Sequence, residues 1–247
     1  MKPEISRTED GSDSLFNASL NEFYHSKYGA VTESEHVFIK SGLYEIINDN
    51  SPVHILEIGF GTALNAMLTL KEINKRQLVF YTAIELFPVD MEIAQKLNYC
   101  DAGDMKFYHE DFLKMHQSEW EKEIDISQNF KLKKRNIDLL TFQPEANCYD
   151  LIYFDAFSPN VQPELWTAAV FQKLFNSLKD NGILVTYCAK GIVKQALRQV
   201  GFVVKRLPGP PGKRHILQAI KNAKTKNTHC PKKMFHLFDF EAGITKR

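Results

Sequence analysis

Four cysteines in 247 residues, Cys100, Cys148, Cys188 and Cys230, are too few and too scattered for a disulfide framework. No Cys-x-x-Cys pair marks a zinc site, so free thiols without a disulfide partner, a cytoplasmic setting and no metal are expected. No apolar run approaches the ~20 residues that cross a bilayer, and membrane insertion is not expected. The polar stretch from Met1 to Ser14, of mixed charge, is unlike a signal peptide. Gly-x-Gly-x-x-Gly is absent, and so is Gly-Lys-Ser/Thr, which excludes a dinucleotide fingerprint and a P-loop. Internal repeats and low-complexity tracts are missing too. The net charge of +1 carries no strong sign, but it is unevenly spread: Gly201–Arg247 holds eleven Lys/Arg and two acids. That basic end is either a footprint for nucleic acid or a solvated tail, and charge by itself does not choose.

What is present is an ordinary soluble composition, 44% apolar and 25% charged, with one informative turn. His54-Ile55-Leu56-Glu57-Ile58 reads as a buried strand that stops at Gly59-Phe60-Gly61-Thr62, after which a helix through Asn65 begins. Glycines at 59 and 61 permit positive φ and a close approach of ligand to backbone. Strands and helices then alternate: strand 53–58, helix 63–74, strand 78–84, a helix near 88–97, a short strand at 105–109, a helix from Phe112 to Trp120, strand 149–154, helix 163–178, strand 183–188, helix 190–199 and a final strand pair. This order predicts an α/β fold, an open and mostly parallel sheet with helices on both faces and a C-terminal antiparallel pair. The expected organisation is a disordered stretch at 1–13, a covering segment at 14–52, the main domain at 53–220 and a basic extension at 221–247, with 121–148 irregular and a hairpin within it.

Four predicted strands end in acids or the glycine turn: Glu57 with Gly59, then Glu85, Asp111 and Asp155. An acid ending the second strand can accept hydrogen bonds from a ribose diol. Asp111 is placed to take an adenine amine, with Phe112 beside the ring, although it would equally N-cap the following helix. Glu85 taken singly could be a surface acid. Asp155, after four apolar residues, needs a partner. The set suits a ligand with adenine and ribose but no phosphate. S-adenosylmethionine fits, because its sulfonium and ammonium are drawn to an acidic rim. The fold expected is therefore the class I, Rossmann-like S-adenosylmethionine-dependent methyltransferase.

The run Tyr149-Asp150-Leu151-Ile152-Tyr153-Phe154-Asp155-Ala156-Phe157-Ser158-Pro159, continued by Pro163-Glu164-Leu165-Trp166, resembles the signature of the MnmC-like methyltransferases. Tyr24-His25-Ser26 with Gly29, Glu33 and Val37-Phe38 is similar to that family's N-terminal block. So are Glu57-Ile58-Gly59-Phe60-Gly61-Thr62-Ala63-Leu64-Asn65, Ile84-Glu85-Leu86-Phe87-Pro88, and the loop Gly209-Pro210-Pro211-Gly212-Lys213-Arg214-His215. Ala63 stands where glycine is frequent, and Tyr187-Cys188-Ala189-Lys190-Gly191 departs from the commoner version, with Lys190 a charge at the expected pocket mouth.

The resemblance implies N-methylation of the aminomethyl group on a modified wobble uridine of tRNA, with the anticodon stem-loop as partner. Together with the strand-end reading, which supplies Asp111 and Phe112, it implies cofactor contacts from Glu57, Gly59, Phe60, Gly61, Thr62, Asn65, Glu85 and Asp155. Asp155 is expected to hold the amine or take its proton, Phe157 and Tyr24 to stack the base, and Ser158 to set a turn near the transferred methyl. His25 is a candidate base or a wall residue, Ser26 a substrate contact, and Trp166 a packing residue. Lys205, Arg206, Lys213 and Arg214 are expected on phosphates. Some relatives carry a fused flavin-dependent oxidase; the chain resembles the stand-alone form, so FAD is not implied. Three other readings stay open: a methyltransferase for a small amine or protein, a spermidine-synthase-like aminopropyl transferase, and a binding module that has lost activity. Oligomeric state is open.

Overall fold

The computed structural model describes residues 2–47, 51–73 and 77–223. Most of the basic extension, residues 224–247 with Cys230, lies outside them.

The chain opens with β1 (Glu4–Arg7), β2 (Asp13–Asn17) and β3 (Glu22–Phe23), which form a small antiparallel sheet. This corrects the expectation of disorder over 1–13. The polar residues that suggested disorder have found protein partners. Asp10 accepts hydrogen bonds from the Ser12 N–H (2.9 Å) and from Thr8 Oγ1 (2.8 Å), closing the β1–β2 turn. Its other oxygen takes the Thr32 N–H (3.0 Å) and hydroxyl (2.8 Å), fastening the turn to the next helix. Although burial raises the Asp10 pKa, these bonds hold it at about 2.

α1 (Ala30–Ser34) runs into a π-helical turn at Glu35–Lys40. β4 (Val53–Ile58), α2 (Leu64–Glu72), β5 (Val79–Ile84), α3 (Met91–Ala94) and α4 (His109–Gln117) follow. Then come β6 (Glu123–Ser127), β7 (Phe130–Arg135), β8 (Tyr149–Phe154), α5 (Ala168–Ser177), β9 (Leu178–Thr186), α6 (Gly191–Gln199), β10 (Val203–Pro208) and β11 (His215–Ile220). The large sheet has the order β10-β11-β9-β8-β4-β5-β7-β6. Its five central strands are parallel and its outer pairs antiparallel. One apolar core lies under α2 and α4, where Met67, Tyr81 and Phe112 are buried. The other lies under α5 and α6, around Ile152, Phe171 and Leu197. Burial on both faces is why β4 and β8 read as almost unbroken apolar runs.

The third parallel strand is not the predicted one. Gly103–Tyr108 is a 3-10 helix that leads into α4, and β7 takes the place beside β5. In Phe130-Lys131-Leu132-Lys133-Lys134-Arg135 the inward positions are Phe130, Leu132 and Lys134, and the basic residues between them masked the alternation. Lys134 is only 1% exposed; its ammonium donates to the His116 carbonyl (2.7 Å) and lies over the Trp120 ring (4.6 Å).

Register aligns the functional edge. Ile58 pairs with Ile84 on one side and Phe154 on the other, so Gly59, Glu85 and Asp155 are the next residue of three adjacent strands. Tyr153 pairs with Val185, which brings Tyr187 level with Asp155. Three backbone bonds lock this edge: Gly59 N–H to Ile84 O (3.0 Å), Asp155 N–H to Ile58 O (3.0 Å) and Glu85 N–H to Arg135 O (3.0 Å).

Candidate active site

A cavity of about 1220 Å³ opens at this edge, between the strand ends, the β2–β3 hairpin with the residues after it, and the loop joining β10 to β11. Its floor is the glycine turn. Gly59 has φ 89° and Gly61 φ 49°. A Cβ on Gly59 would sit 2.6 Å from the Asp155 carbonyl oxygen, so the two strand ends touch through bare backbone there. Ala63 holds the left-handed φ of 62° that starts α2, a conformation glycine adopts without strain.

Glu85 grips the turn itself. Its carboxylate accepts the Gly61 N–H (3.0 Å) and the Phe87 N–H (2.8 Å), while burial raises its pKa. Asn65, on the first turn of α2, donates from Nδ2 to Glu57 (3.0 Å) and to Asp155 (2.9 Å). Glu57 is fully buried behind Asn65, and burial, with Asp155 adding repulsion, pushes its pKa well above the carboxylate range. Asp155 is pushed up to about 7, by burial first and by Glu33, against the pull of Asn65 and Lys213.

Above the turn stand two rings. Tyr24 meets Phe157 edge-on, with centroids 5.0 Å apart, and contacts the face of Gly61. Phe157 is held by its carbonyl, which accepts the Trp166 indole N–H (2.8 Å); Trp166 packs beneath, against Phe154 and Phe171. His25 also lines the cavity; its pKa falls to about 4 through burial, and its Nδ1 lies 3.2 Å from the Ser14 hydroxyl. A ring depressed in this way is a weaker base than Asp155, whose pKa is raised. Ser26 lines the wall through a backbone N–H bonded to Glu33 (2.7 Å). Phe60 and Thr62 line the cavity from the turn.

Several sequence-derived candidates are elsewhere. Asp111 lies in the first turn of α4, and Phe112 is buried in the core against Tyr99 and His116; neither lines the cavity, because the strand that would have delivered them is a helix. The Ser158 hydroxyl donates to Glu22 (3.1 Å), and its carbonyl accepts the Val161 and Gln162 N–H groups, so it shapes the turn from outside the cavity. Lys190 is exposed and donates to Asn160 (2.7 Å). Arg214 is exposed outside the cavity. Lys213, expected on a phosphate, turns inward: it pairs with the buried Glu33 and lies 4.0 Å from the centre of the Tyr187 ring.

The sequence reading passed over Ile137, Asp138 and Leu139, which line the cavity at the end of β7, and Tyr187, whose hydroxyl donates to the Ala156 carbonyl (2.8 Å). An alternation search through the basic run 131–135 would have found the strand and its acid. This wall hangs on one lysine. Lys173 of α5 donates to the carbonyls of Leu139 (2.8 Å), Leu140 (2.9 Å) and Phe142 (3.2 Å). Lys173→Met should cost about 1–3 kcal/mol in urea unfolding and weaken cofactor binding measured by calorimetry.

The donor set fits an adenosyl sulfonium. Glu85 follows β5 directly and Asp138 lies three residues past β7, where a diol and an amine need acceptors; the glycine backbone leaves room, and acids surround the remainder. Asn65 lines the cavity and its Oδ1 is buried without a protein hydrogen bond, which leaves an acceptor for a cationic group. Among the described residues no group of three or more His, Cys, Asp or Glu is placed to hold a metal ion. Nor is any described helix long and apolar enough to cross a membrane.

Residues 103–222 match the family model described as S-adenosyl-L-methionine-dependent methyltransferase. The chain is 28% identical over 224 residues to the tRNA 5-methylaminomethyl-2-thiouridine biosynthesis bifunctional protein MnmC of Campylobacter hominis, an alignment covering 85% of this chain and 32% of that protein. The MnmC of Leptospira borgpetersenii is 29% identical over 80% of this chain and 32% of its own length. The chain thus spans about a third of the length of these curated relatives. Among solved structures, MnmC2 of Aquifex aeolicus superposes with a TM-score of 0.73 at 25% identity, over 90% of this chain and 70% of that one. A spermidine synthase in complex with a transition-state analogue shares the fold, with a TM-score of 0.51 at 16% identity over 90% of this chain and 73% of that one.

Proposed function

The chain is MnmC-like in sequence and has the class I methyltransferase fold, and from that premise we propose that it N-methylates the aminomethyl group of a modified wobble uridine in tRNA. It does so in the cytoplasm, with S-adenosylmethionine as its cofactor and with neither flavin nor metal. The observation that carries this reading is Asp155: a carboxylate with a pKa near 7 at the foot of a pair of aromatic rings, in a cavity walled with acids.

When bound, S-adenosylmethionine supplies an electrophilic methyl on a sulfonium whose sulfur leaves as a neutral thioether. Asp138 and Glu85 would hold its adenosine, and the bare backbone of Gly59 and Gly61 would let it approach. Asp155 takes hydrogen bonds from the attacking amine and receives the proton that nitrogen sheds as its bond to the methyl carbon forms. Tyr24 and Phe157 flank the pyrimidine ring and fix the amine in line, where positioning supplies much of the rate. Exposed Lys205, Arg206 and Arg214 meet the phosphates of the anticodon stem-loop. Lys213 is withdrawn from that set and keeps Glu33 and Tyr187 in place.

The test is transfer of labelled methyl from S-adenosylmethionine to tRNA from a strain lacking the gene, followed by nucleoside analysis. A methylaminomethyl-uridine peak is expected. Cofactor binding with no methylated tRNA would move the substrate to the small-amine or protein class, and use of the decarboxylated cofactor would move it to aminopropyl transfer. Phosphate contacts also make kcat/KM for tRNA fall about tenfold or more between 50 and 200 mM salt, with cofactor affinity nearly constant. Salt-insensitive transfer would contradict an RNA substrate.

A further inference from the structure

Asn65 is 3% exposed, and its amide nitrogen has two N–H groups to give. One goes to Glu57 Oε1 and the other to Asp155 Oδ2, at 3.0 and 2.9 Å. No donor is left over for a ligand; only Oδ1 is unpartnered. The residue is fixed from behind. Its own carbonyl accepts the Thr69 hydroxyl (2.7 Å), and Ala63 in the left-handed conformation starts α2 just where the first turn faces the strand ends. An asparagine expected to touch cofactor is therefore a clip between two carboxylates, one at the end of β4 and one just past β8.

Two neighbouring carboxylates in a buried site do not both ionise cheaply, so one must keep its proton. Their surroundings are unequal. Glu57 has no exposed surface; burial and the charges of Asp155 and Glu85 raise its pKa against the pull of Asn65 and the Tyr81 hydroxyl. Asp155 lines the cavity and faces Lys213 as well as Glu33, with Tyr187 beside it. The Asn65 amide lowers the cost of an anion on either carboxylate, so the choice between them falls to their surroundings, which favour Asp155.

We infer that Asn65 is a positioning residue that clips the two carboxylates together and steadies the anion on Asp155, while the more deeply buried Glu57 keeps its proton, so that the carboxylate facing the cavity is the one ready to accept a proton. This rests on Asp155 being the acceptor in the proposed reaction. It adds that the acceptor is defined by a second side chain that never touches the reacting atoms.

The decisive measurement follows the carboxyl carbons of selectively labelled aspartate by NMR titration of the protein without substrate, with Asp155 assigned from Asp155→Asn. In the unmodified protein Asp155 should titrate near pH 7. In Asn65→Leu, which keeps the branched outline and removes both donors, its midpoint should rise by at least about one pH unit. Asn65→Ser, with one donor, should fall between and carries the test if the leucine variant does not fold. The kinetic counterpart is the acid limb of kcat for methyl transfer, which should rise with the midpoint and be restored at high pH. A residue with a merely structural role would lower kcat at every pH and leave the limb in place. An unmoved Asp155 midpoint in both folded variants overturns the inference, whatever the substrate. A moved midpoint in a protein that never methylates tRNA leaves the clip standing and removes the tRNA reading instead.

Discussion

Asp155→Asn should lower methyl transfer by about 10²–10⁴-fold, the range lost when a positioned proton acceptor is removed. The same variant should be more stable than the parent protein without cofactor. Burial lifts the Asp155 pKa from 3.8 to about 7, so between those values the folded chain binds a proton that the unfolded chain has released. Stability therefore falls as pH rises from about 4 to 7 and is flat above, where the full penalty of holding the anion in the cavity is present. Asparagine has the same shape, carries no charge and can still accept a hydrogen bond from Asn65. The expected gain at pH 8 is about 2–4 kcal/mol, shrinking to nothing near pH 4. Thermal melts of the two proteins across that range, beside single-turnover transfer, check both halves. Full activity in the variant would remove Asp155 from the reaction; equal stability at pH 8 would mean that its charge is not strained.

Gly59→Ala should be severely damaging at the site. Position 59 has φ 89°, where a side chain is strained by about 1–3 kcal/mol, and its Cβ would meet the Asp155 carbonyl oxygen at 2.6 Å. The obstacle is backbone, so no rotamer change relieves it. Either β4 parts from β8 at their ends or the glycine turn is displaced, and each outcome disturbs Asp155 and the cofactor floor together. A loss above about 3 kcal/mol is expected, with no measurable cofactor binding in any folded fraction. Gly61→Ala provides the contrast: its φ of 49° is also left-handed and carries that strain, but its Cβ meets only the Tyr24 ring at 3.4 Å, not backbone. That variant should fold with a cost near 1 kcal/mol and show its main defect in cofactor KM. Urea unfolding and calorimetric titration of both separate backbone geometry from pocket shape.

How much of this was legible beforehand depends on whether the cause was local. The glycine turn, the two buried strands around it and the acids at 57, 85 and 155 follow from local rules: apolar runs make strands buried on both faces, and glycine permits the turn. Their meeting at one edge follows from parallel register, which any βαβ chain of this order produces. Trp166 was also readable as packing, since a large ring after a turn has few other places to go.

What could not be read depended on partners distant in sequence. Residues 1–13 look disordered until Asp10 is seen bonded to Thr32 and Asp13 to Asn98. The strand containing Lys134 looks like a surface run until the carbonyl of His116 and the ring of Trp120 receive its charge; misreading it moved the third acid from Asp138 to Asp111. The inward turn of Lys213 is decided by Glu33, 180 residues away. The sequence by itself determined the central strands β4, β5 and β8, the glycine turn and the acids at 57, 85 and 155, because period and turn chemistry act between near neighbours. Only the tertiary structure decided which charges are buried and which carboxylate carries one, because desolvation is set by everything that surrounds a group, wherever it lies in the chain.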